Sequence, residues 1–338
     1  MLRGWQVEKD AREAMKAIAV IAIGGNSLTR ENERGTFEEQ QAHAIETCEG
    51  IAGVLQKDYR VVVTHGNGPQ VGEALLRSEM VQGAGKPQHL DVCGAETEGA
   101  MGYLLQQTLD NTLYEKGMPQ KVVSLITQVI VDADDPAFLR PDKPIGPFYR
   151  REEAEQRRDE FGWKVVEDAG RGWRRVVASP HPRRIYEIEA IRACLDAGFV
   201  VIAAGGGGIP VVRRAGRLRG SEAVIDKDRC SALLARDLAA ELLLFSTGVK
   251  HVYLNYGKEN ARPLFHVSWA KAHEYLMSGE FPAGSMGPKV EAALAYLEAG
   301  GRRALITAPE SIGLALSGSE GTEILPPQGV LDETVAAR

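Results

Sequence analysis

Three lysines lie in short segments whose composition suits the binding of a phosphoryl group. Lys227 stands between Asp226 and Asp228 in the segment AVIDKD, at the predicted start of a helix. Lys289 stands in GSMGPK before another helical run, and Lys143 opens the segment KPIGPFY. A lysine held among glycines near a helix N-terminus adds positive charge where backbone N–H groups also point toward an anion. These lysines therefore predict a phosphate-handling site.

Three glycine-rich segments each follow a short apolar run. They are GGNSL from Gly24, HGNGPQVG from His65 and AAGGGGIPVV from Ala203. Glycine lets the backbone approach an anion closely, although a simple strand-to-helix turn would also explain GGNSL. The glycine run of the third segment has apolar neighbours on both sides, whereas linkers have polar borders. This run is therefore predicted to wrap a phosphate group.

The same loops offer no convincing general base. His65 is a candidate, but a histidine beside a glycine turn is more often structural, and we interpret it so. The acidic candidates, Asp226 and Asp228, lie beside a lysine. The sequence matches neither the G-x-x-x-x-G-K-[ST] pattern nor a kinase H-R-D loop, and no carboxylate pair, Ser-His-Asp set or metal-ligand cluster stands out. Phosphoryl transfer needs no base when the acceptor is already an anion, such as a carboxylate or carbamate.

Strand-like and helix-like runs alternate along the chain. The predicted strands are Ala17–Ile23, Val61–Thr64, Phe199–Ala204, Leu242–Phe245, His251–Asn255 and Ala304–Thr307. The predicted helices include Thr36–Leu55, Gly94–Tyr114 and Pro182–Ala197. Short, continuous apolar runs are typical of strands buried in a parallel sheet, so this order predicts a doubly wound α/β fold. Its ligand crevice should lie beyond the carboxyl ends of the strands, where the glycine segments fall.

One region interrupts this alternation. From Asp134 to Ser179 the chain is rich in proline and charge, with a helix-like run RREEAEQRRDEF and a predicted β-hairpin, WKVVEDAGRGWRRVV. We interpret residues 136–178 as a lid inserted in a domain of residues 16–338. Residues 1–15 have mixed charge and no apolar core, so they are predicted to be an N-terminal extension rather than a secretory signal.

The composition excludes several classes of function. A net charge of -6 argues against sequence-independent binding of nucleic acid, and no run is long and apolar enough for a membrane span. The four cysteines are widely spaced without a C-x-x-C pair, which is typical of reduced thiols in a cytoplasmic protein.

The motifs, taken in order, resemble those of carbamate kinases, which have the amino-acid kinase fold. The resemblance extends from about residue 16 to about residue 307. The matching segments are GGNSL, HGNGPQVG, LDVCGAETEG, DPAF, KPIGPFY, RRVVASPHP, AGGGGIPV, EAVIDKD, TGV, NYGK and GSMGPK. The resemblance implies a three-layer α/β/α sandwich around a mainly parallel, open sheet of about eight strands, with a protruding lid, usually as a homodimer. It also implies an N-terminal lobe for carbamate or carbamoyl phosphate and a C-terminal lobe for ADP or ATP with Mg²⁺.

The resemblance also implies roles for individual residues. Lys227 and Lys289 would stabilise the charge of the transferred group, Asp226 would orient both lysines, and Lys143 would reach in from the lid. The implied substrate-binding residues are Gly24, Gly25, Asn26, Gly66, Asn67, Gly205, Gly206 and Gly207. The implied nucleotide-binding residues are Thr247, Gly248, Val249, Tyr256 and Met286. No protein ligand for the metal is implied.

The implied reaction is reversible phosphoryl transfer between carbamoyl phosphate and ADP, usually for ATP synthesis in arginine, agmatine or purine breakdown. Two alternatives stay open: a kinase of another small carboxylate, and a regulator that binds a nucleotide or metabolite without turnover. The three lysines count against the regulator, because a pure binder does not need all of them. The sequence departs from the usual family pattern at Ser27 and Lys250, which lie in the phosphate and nucleotide loops.

Overall fold

The computed structural model describes residues 16–24, 36–80, 88–168, 172–282 and 284–327. The predicted N-terminal extension lies outside the described residues, as do the site candidates Gly25 and Asn26 and the departure at Ser27. Within the described ranges, none of the helices combines the length and the apolar character that crossing a membrane would require.

Strands and helices alternate over most of the described chain. The strands are β1 (Ile18–Ile23), β2 (Arg60–His65), β3 (Val122–Ser124), β4 (Gln128–Val131), β5 (Lys143–Tyr149), β6 (Lys164–Glu167), β7 (Trp173–Val177), β8 (Pro182–Ile185), β9 (Val200–Ile202), β10 (Ile209–Arg214), β11 (Arg217–Gly220), β12 (Leu242–Ser246), β13 (Val252–Leu254), β14 (Arg262–Leu264), β15 (His266–Ser268), β16 (Arg303–Thr307) and β17 (Thr322–Leu325). The α-helices are α1 (Phe37–Leu55), α2 (Gly68–Met80), α3 (Leu90–Glu115), α4 (Arg151–Phe161), α5 (Ile188–Asp196), α6 (Lys227–Asp237), α7 (Trp269–Met277), α8 (Met286–Glu298) and α9 (Ile312–Leu316).

The main sheet has eight strands in the order β15-β17-β16-β12-β1-β2-β9-β3. Neighbouring strands are parallel except for β16 and β17, which run antiparallel. Every residue of β1 is buried, which explains why its sequence is continuously apolar rather than alternating. The predicted mainly parallel sheet is therefore confirmed.

Apolar layers cover both faces of this sheet. Along β1, Val20 and Ala22 join a core shared with α5, α6 and α8. Their neighbours Ile21 and Ile23 join a second core, which α1 and α3 cover from the other side. Because successive side chains of a strand point to opposite faces, one short strand contributes to both cores. The fold is the expected three-layer α/β/α sandwich.

The predicted helix and hairpin between residues 136 and 178 are present. Helix α4 accompanies a three-stranded sheet of order β5-β7-β6, in which β6 and β7 are antiparallel. This sheet is attached to α2: Arg175 of β7 forms an ion pair with the buried Glu79 at 2.6 Å. A Cβ at Gly72 would lie 2.1 Å from the backbone of Gly146, so glycine is required for α2 to contact β5. Motion of this lid as a unit stays a prediction.

Two sequence-based assignments are wrong in detail. The run Pro182–Ala197 is not a single helix, because its first residues form β8, where Ile185 pairs with Val129 of β4. The helix α5 starts only at Ile188. The run His251–Asn255 contributes a strand, but β13 pairs with β14 in a separate two-stranded sheet. Its half-buried pattern suits such a peripheral ribbon better than the centre of a parallel sheet.

Candidate active site

The start of α6 is fixed by Asp226. This residue is the N-cap, and its Oδ1 accepts hydrogen bonds from the backbone N–H groups of Asp228 at 2.9 Å and Arg229 at 3.2 Å. Side-chain capping satisfies N–H groups that have no partner inside the helix. The cap therefore places Lys227 and Asp228 in the first turn of α6, as the sequence predicted.

Lys227 and Lys289 meet on a single carboxylate. Lys227 Nζ lies 2.5 Å from Asp228 Oδ1, and Lys289 Nζ lies 3.1 Å from Asp228 Oδ2. All three residues are buried. The sequence assigned this pairing to Asp226, but the structure gives it to Asp228: Asp226 uses one oxygen to cap α6, and Asp228, two positions further along the chain, contacts both lysines.

Burial and charge act against each other in this group. Burial lowers the pKa of Lys227, and the like charge of Lys289 adds to this effect, whereas Asp228 opposes it. Burial would raise the pKa of Asp228, but the ammonium groups of Lys227 and Lys289 hold it below its usual value. The carboxylate is therefore ionised, and it favours the charged form of Lys227 against the effect of burial.

The lid contributes one more lysine. Lys143, the first residue of β5, donates a hydrogen bond to Oδ2 of Asp226. Burial would raise the pKa of Asp226, but Lys143, assisted by Lys227, lowers it well below its usual range. We call Lys143, Asp226, Lys227, Asp228 and Lys289 the lysine cluster. It links the lid to the helices α6 and α8 through ion pairs.

A second group of residues, the glycine loop of residues 204–208, follows β9. Ala204, Gly206, Gly207 and Gly208 have φ angles of 51°, 68°, 98° and 79°. The left-handed region costs a residue with a side chain such as Ala204 roughly 1 kcal/mol or more, so surrounding contacts must hold the loop in place. A Cβ at Gly207 would lie 2.5 Å from the carbonyl oxygen of Ile225, next to Asp226. The glycine loop thus packs directly beside the lysine cluster.

The glycines permit close packing of side chains from the end of β2. A Cβ at Gly205 would lie 2.3 Å from His65 Nε2, and a Cβ at Gly206 would lie 2.1 Å from Asn67 Nδ2. The N–H of Gly205 donates to Glu98 Oε1 at 2.9 Å. The glycine loop therefore packs against Asn67, a steric role that the phosphate-wrapping prediction did not include.

His65 is fully buried at the centre of this packing. Burial lowers its pKa to about 4, and the charge of Lys227 acts in the same direction, against a hydrogen bond with the carbonyl of Gly66. The imidazole is therefore neutral near pH 7, and its Nδ1 lies 3.3 Å from Gly66 O. A buried, neutral ring supports the structural interpretation of this residue.

The remaining predicted residues occupy neighbouring strand ends. Gly24 follows β1 and donates its N–H to Ser246 O, whereas Gly66 follows β2 and donates to Ile23 O, both at 3.0 Å. Thr247 follows β12, and its N–H donates to Thr307 O at 2.8 Å. The carboxyl ends of three central strands thus carry predicted substrate or nucleotide residues along one edge of the sheet.

The nucleotide candidates extend from this edge to α8. Gly248 and Val249 continue the loop after Thr247. Met286 lies in the same first turn of α8 as Lys289. Tyr256 is 61% exposed, and its ring centroid lies 5.9 Å from that of Tyr253. Of these residues, Met286 lies beside the lysine cluster, because it shares the first turn of α8 with Lys289.

Sequence reasoning gave no role to two further buried residues, Thr97 and Glu98. Glu98 accepts N–H groups from Gly205 and Thr127, and burial raises its pKa to about 8 although these hydrogen bonds act in the opposite direction. Thr97 accepts a hydrogen bond from Asn67 at 2.8 Å. The only sequence signal was their presence in LDVCGAETEG, a segment with no glycine loop or lysine to suggest chemistry.

The side chains at the site do not form a metal-binding cluster. In the parts of the chain that the structure describes, no group of three or more His, Cys, Asp or Glu residues is placed to hold a metal ion. The nearest carboxylates, Asp226 and Asp228, already contact ammonium groups.

Comparison with known proteins defines the class. A family model described as the Amino acid kinase family matches residues 17–308. The match covers most of the 338 residues, and the chain belongs to this family. The resemblance inferred from the motifs is therefore confirmed at the level of family and fold.

Within the family, the chain is similar to several carbamate kinases. That of Pyrococcus furiosus is 47% identical over 309 residues, which are 91% of this chain and 98% of the relative. That of Trichomonas vaginalis is 44% identical over 312 residues, 91% of this chain and 99% of the relative. The solved structure of carbamate kinase from Giardia lamblia bound to AMP-PNP has a TM-score of 0.84 at 38% identity, covering 93% of this chain and 99% of that chain.

Proposed function

We propose that this protein is a carbamate kinase. It would transfer a phosphoryl group reversibly between carbamoyl phosphate and ADP, giving ATP and carbamate, which decomposes to ammonia and CO₂. The observation that carries this proposal is the meeting of Lys227 and Lys289 on the buried Asp228, beside the glycine loop. This arrangement concentrates positive charge, and both carboxylates of the lysine cluster contact ammonium groups.

The charges of the lysine cluster fit a transferred phosphoryl group. Three ammonium groups and two carboxylates give the cluster a net positive charge. In phosphoryl transfer, negative charge spreads over the equatorial oxygens of the phosphoryl group, and preorganised donors stabilise it. Lys227 and Lys289 would contact these oxygens, while Asp228 keeps both side chains in place. Lys143 would approach from the lid and exchange its contact with Asp226 for one with the substrate.

The neutral state of His65 favours an acceptor that is already an anion. A hydroxyl or amine acceptor must lose a proton to a base, whereas a carbamate oxygen carries its negative charge before transfer. His65 is fully buried, with a pKa lowered by burial to about 4, and both carboxylates at the site form ion pairs with lysines. These features suit carbamate or another small carboxylate better than an alcohol.

The two lobes would divide the substrates. The N-terminal lobe would hold the carbamoyl end, and the C-terminal lobe would hold the nucleotide with Mg²⁺ bound to its phosphates. The residues at the carbamoyl end would be Gly24, Gly25, Asn26, Gly66, Asn67, Gly205, Gly206 and Gly207. The residues at the nucleotide end would be Thr247, Gly248, Val249, Tyr256 and Met286.

We also propose that the enzyme is cytoplasmic. Its four cysteines are all unpaired thiols, which is the usual state in a reducing cytoplasm. We also expect a homodimer in solution, which sedimentation velocity would distinguish from a monomer.

The direct test is a coupled assay for ATP formed from carbamoyl phosphate and Mg-ADP. The proposal expects turnover that disappears when either substrate is omitted. If ATP instead yields ADP faster with acetate or an acetylated amino acid as acceptor, the protein is a kinase of another carboxylate. If Mg-ADP binds by calorimetry but no acceptor or donor is converted, the protein is a nucleotide-binding regulator and the proposal is wrong.

A further inference from the structure

Helix α3 places two adjacent buried side chains beside Asn67 and the glycine loop. Thr97 is 5% exposed and Glu98 is 4% exposed. Neither residue has a part in the transfer described above. Each one forms a hydrogen bond with a residue outside α3 that lines the site, so this turn of the helix contacts two separate loops.

The hydroxyl of Thr97 fixes the orientation of the Asn67 side chain. Thr97 Oγ1 donates to the carbonyl of Gly94 at 2.8 Å. Its only proton is then in use, so toward Asn67 it acts as an acceptor, and Asn67 Nδ2 donates to it at 2.8 Å. The amide nitrogen of Asn67 must therefore face α3, which also fixes the direction in which its Oδ1 points.

The carboxyl group of Glu98 fixes the glycine loop. Its Oε1 accepts the N–H of Gly205 at 2.9 Å, and its Oε2 accepts the N–H of Thr127 at 3.0 Å. The hydroxyl of Thr127 in turn accepts the N–H of Ala204 at 2.9 Å. Two consecutive residues of the loop, one of them the left-handed Ala204, are thus held by a network that starts at Glu98.

Both contacts act on Asn67. The loop presents Gly206 to the side chain of Asn67 so closely that a Cβ on Gly206 would lie 2.1 Å from Asn67 Nδ2. Thr97 therefore holds the Asn67 amide by a hydrogen bond, and Glu98 keeps the backbone that packs against the same amide in place. Asn67 itself is buried, with 5% exposure, so it has little freedom to choose another orientation.

From this geometry we propose that Thr97 and Glu98 are positioning residues, which orient the Asn67 carboxamide toward the transferred group. The inference rests on the proposed function, which places Asn67 at the carbamoyl end of the site. Neither residue would touch the substrate. Their effect would pass through Asn67 and the glycine loop, because small displacements of a substrate-contacting group reduce turnover strongly.

The Thr97→Val variant tests the first contact, with Thr108→Val as its matched control. Thr108 is a buried threonine of the same helix whose hydroxyl donates to Leu104 O. Thr97→Val should lower kcat/KM for carbamoyl phosphate about tenfold, the effect expected when a buried hydrogen bond is lost. KM for Mg-ADP should stay at the wild-type value, Thr97→Ser should restore turnover, and Thr108→Val should leave it unchanged.

A double-mutant cycle separates positioning from general packing. If Thr97 acts through Asn67, then Thr97→Val should have almost no further effect on turnover in the Asn67→Ala background. An undiminished tenfold loss in that background would overturn the role of Thr97. So would equal losses in Thr97→Val and Thr108→Val, because both would then reflect packing of α3.

The Glu98→Gln variant tests the second contact, with Glu96→Gln as control. A glutamine at position 98 must turn an NH₂ group toward the N–H of Gly205 or Thr127, whereas Glu96 is exposed and bonds Gln88 at 2.8 Å. We expect about a tenfold fall in kcat for Glu98→Gln, comparable to the loss of one hydrogen bond, and none for Glu96→Gln. Wild-type turnover in a folded Glu98→Gln protein would overturn the role of Glu98.

An activity-independent measurement keeps this inference separate from the proposed function. In NMR spectra, the side-chain NH₂ of Asn67 should be protected from exchange in the wild type and in Thr108→Val, and unprotected in Thr97→Val. A wild type that makes no ATP from carbamoyl phosphate would refute the proposed function, while the NMR result still decides whether Thr97 orients Asn67. An unchanged Asn67 signal in Thr97→Val would refute the positioning role even in an active enzyme.

Discussion

The lysine cluster and the glycine loop lie side by side, but they are held in different ways. The cluster depends on ion pairs between buried charges, with Asp228 shared by Lys227 and Lys289. The loop depends on hydrogen bonds between backbone and uncharged or weakly acidic groups, and on the absence of side chains at Gly205 and Gly206. The lysine cluster therefore supplies electrostatic stabilisation, whereas the glycine loop holds neighbouring side chains such as Asn67 in position.

The lysine cluster and the glycine loop each carry a different energetic cost. Buried charges lose their hydration, so every member of the lysine cluster needs a partner, and removing one partner leaves an uncompensated charge. The glycine loop carries no such charge, but it holds Ala204 in the left-handed region and depends on close backbone packing. Substitutions should therefore reduce turnover more in the cluster than around the loop.

The largest effect should come from removing a lysine of the cluster. Lys227→Ala and Lys289→Ala should each lower kcat about 10²-fold or more, as expected when a preorganised donor to developing charge is lost. Lys271→Ala is a suitable control, because Lys271 is exposed on α7 and its ammonium group contacts Glu274 and Tyr275 of the same helix. Steady-state kinetics with carbamoyl phosphate and Mg-ADP would measure kcat and KM. A change confined to KM would contradict the role in the transition state.

Removing the shared carboxylate should give a smaller loss that depends on pH. Asp228 raises the pKa of Lys227 against the effect of burial, so Asp228→Asn should lower that pKa further. The lysine would then lose its proton as pH rises, and kcat should fall about tenfold or more between low and high pH, since a neutral amine no longer acts as a charged donor. Wild-type kcat should change less over the same range.

The control for this variant is Asp228→Glu, which keeps the charge. A profile for Asp228→Asn that runs parallel to the wild type from pH 6 to 9 would show that Asp228 does not maintain the charge of the lysines. Thermal unfolding at each pH would separate loss of charge from loss of fold.

Beside the glycine loop, Glu98 should make the stability of the folded protein depend on pH. Burial raises the pKa of Glu98 to about 8 from its usual value of 4.5, so between these values the folded protein holds a proton that the unfolded chain has released. This contribution is fully present below about pH 4.5 and is lost as pH rises through about 8. The free energy of unfolding of the wild type should decline over this window by an amount on the order of a few kcal/mol, and Glu98→Gln should lack the decline.

Denaturant titrations at several pH values would measure this difference. Glu96→Gln again serves as the control, since its exposed carboxyl group should leave the pH dependence unchanged. Identical slopes for the wild type and Glu98→Gln would mean that Glu98 is ionised in the folded protein near neutral pH.

The smallest effect on turnover should come from His65. Burial lowers its pKa to about 4, so the ring carries no charge that could change near pH 6.5. His65→Asn should therefore retain substantial activity, and the wild-type rate should show no histidine titration between pH 5.5 and 7.5. A variant that folds and binds Mg-ADP, yet loses nearly all turnover along a histidine titration, would indicate a base-dependent acceptor. The mechanism proposed above would then be wrong.

The sequence predicted the central architecture because its signals are local. The run Ile18–Ile23 is apolar at every position, which is typical of a strand buried on both faces, and Gly24 marks its end. Asp226 and Lys227 could be placed at a helix start from neighbouring residues alone. The predictions failed where local pattern was ambiguous, as in β8, whose identity as a strand depends on pairing with β4 rather than on its own composition.

The contacts within the site depended on the tertiary structure. Lys289 lies 61 positions beyond Asp228, and Gly205 lies 107 positions beyond Glu98, yet each pair shares a hydrogen bond. Which of the two aspartates at the start of α6 contacts both lysines depends on how α6 and α8 pack, because two steps along a helix turn a side chain by about 200°. Residue types and their spacing within a segment follow from the sequence, whereas these long-range pairings arise only when the sheet brings its strand ends together along one edge.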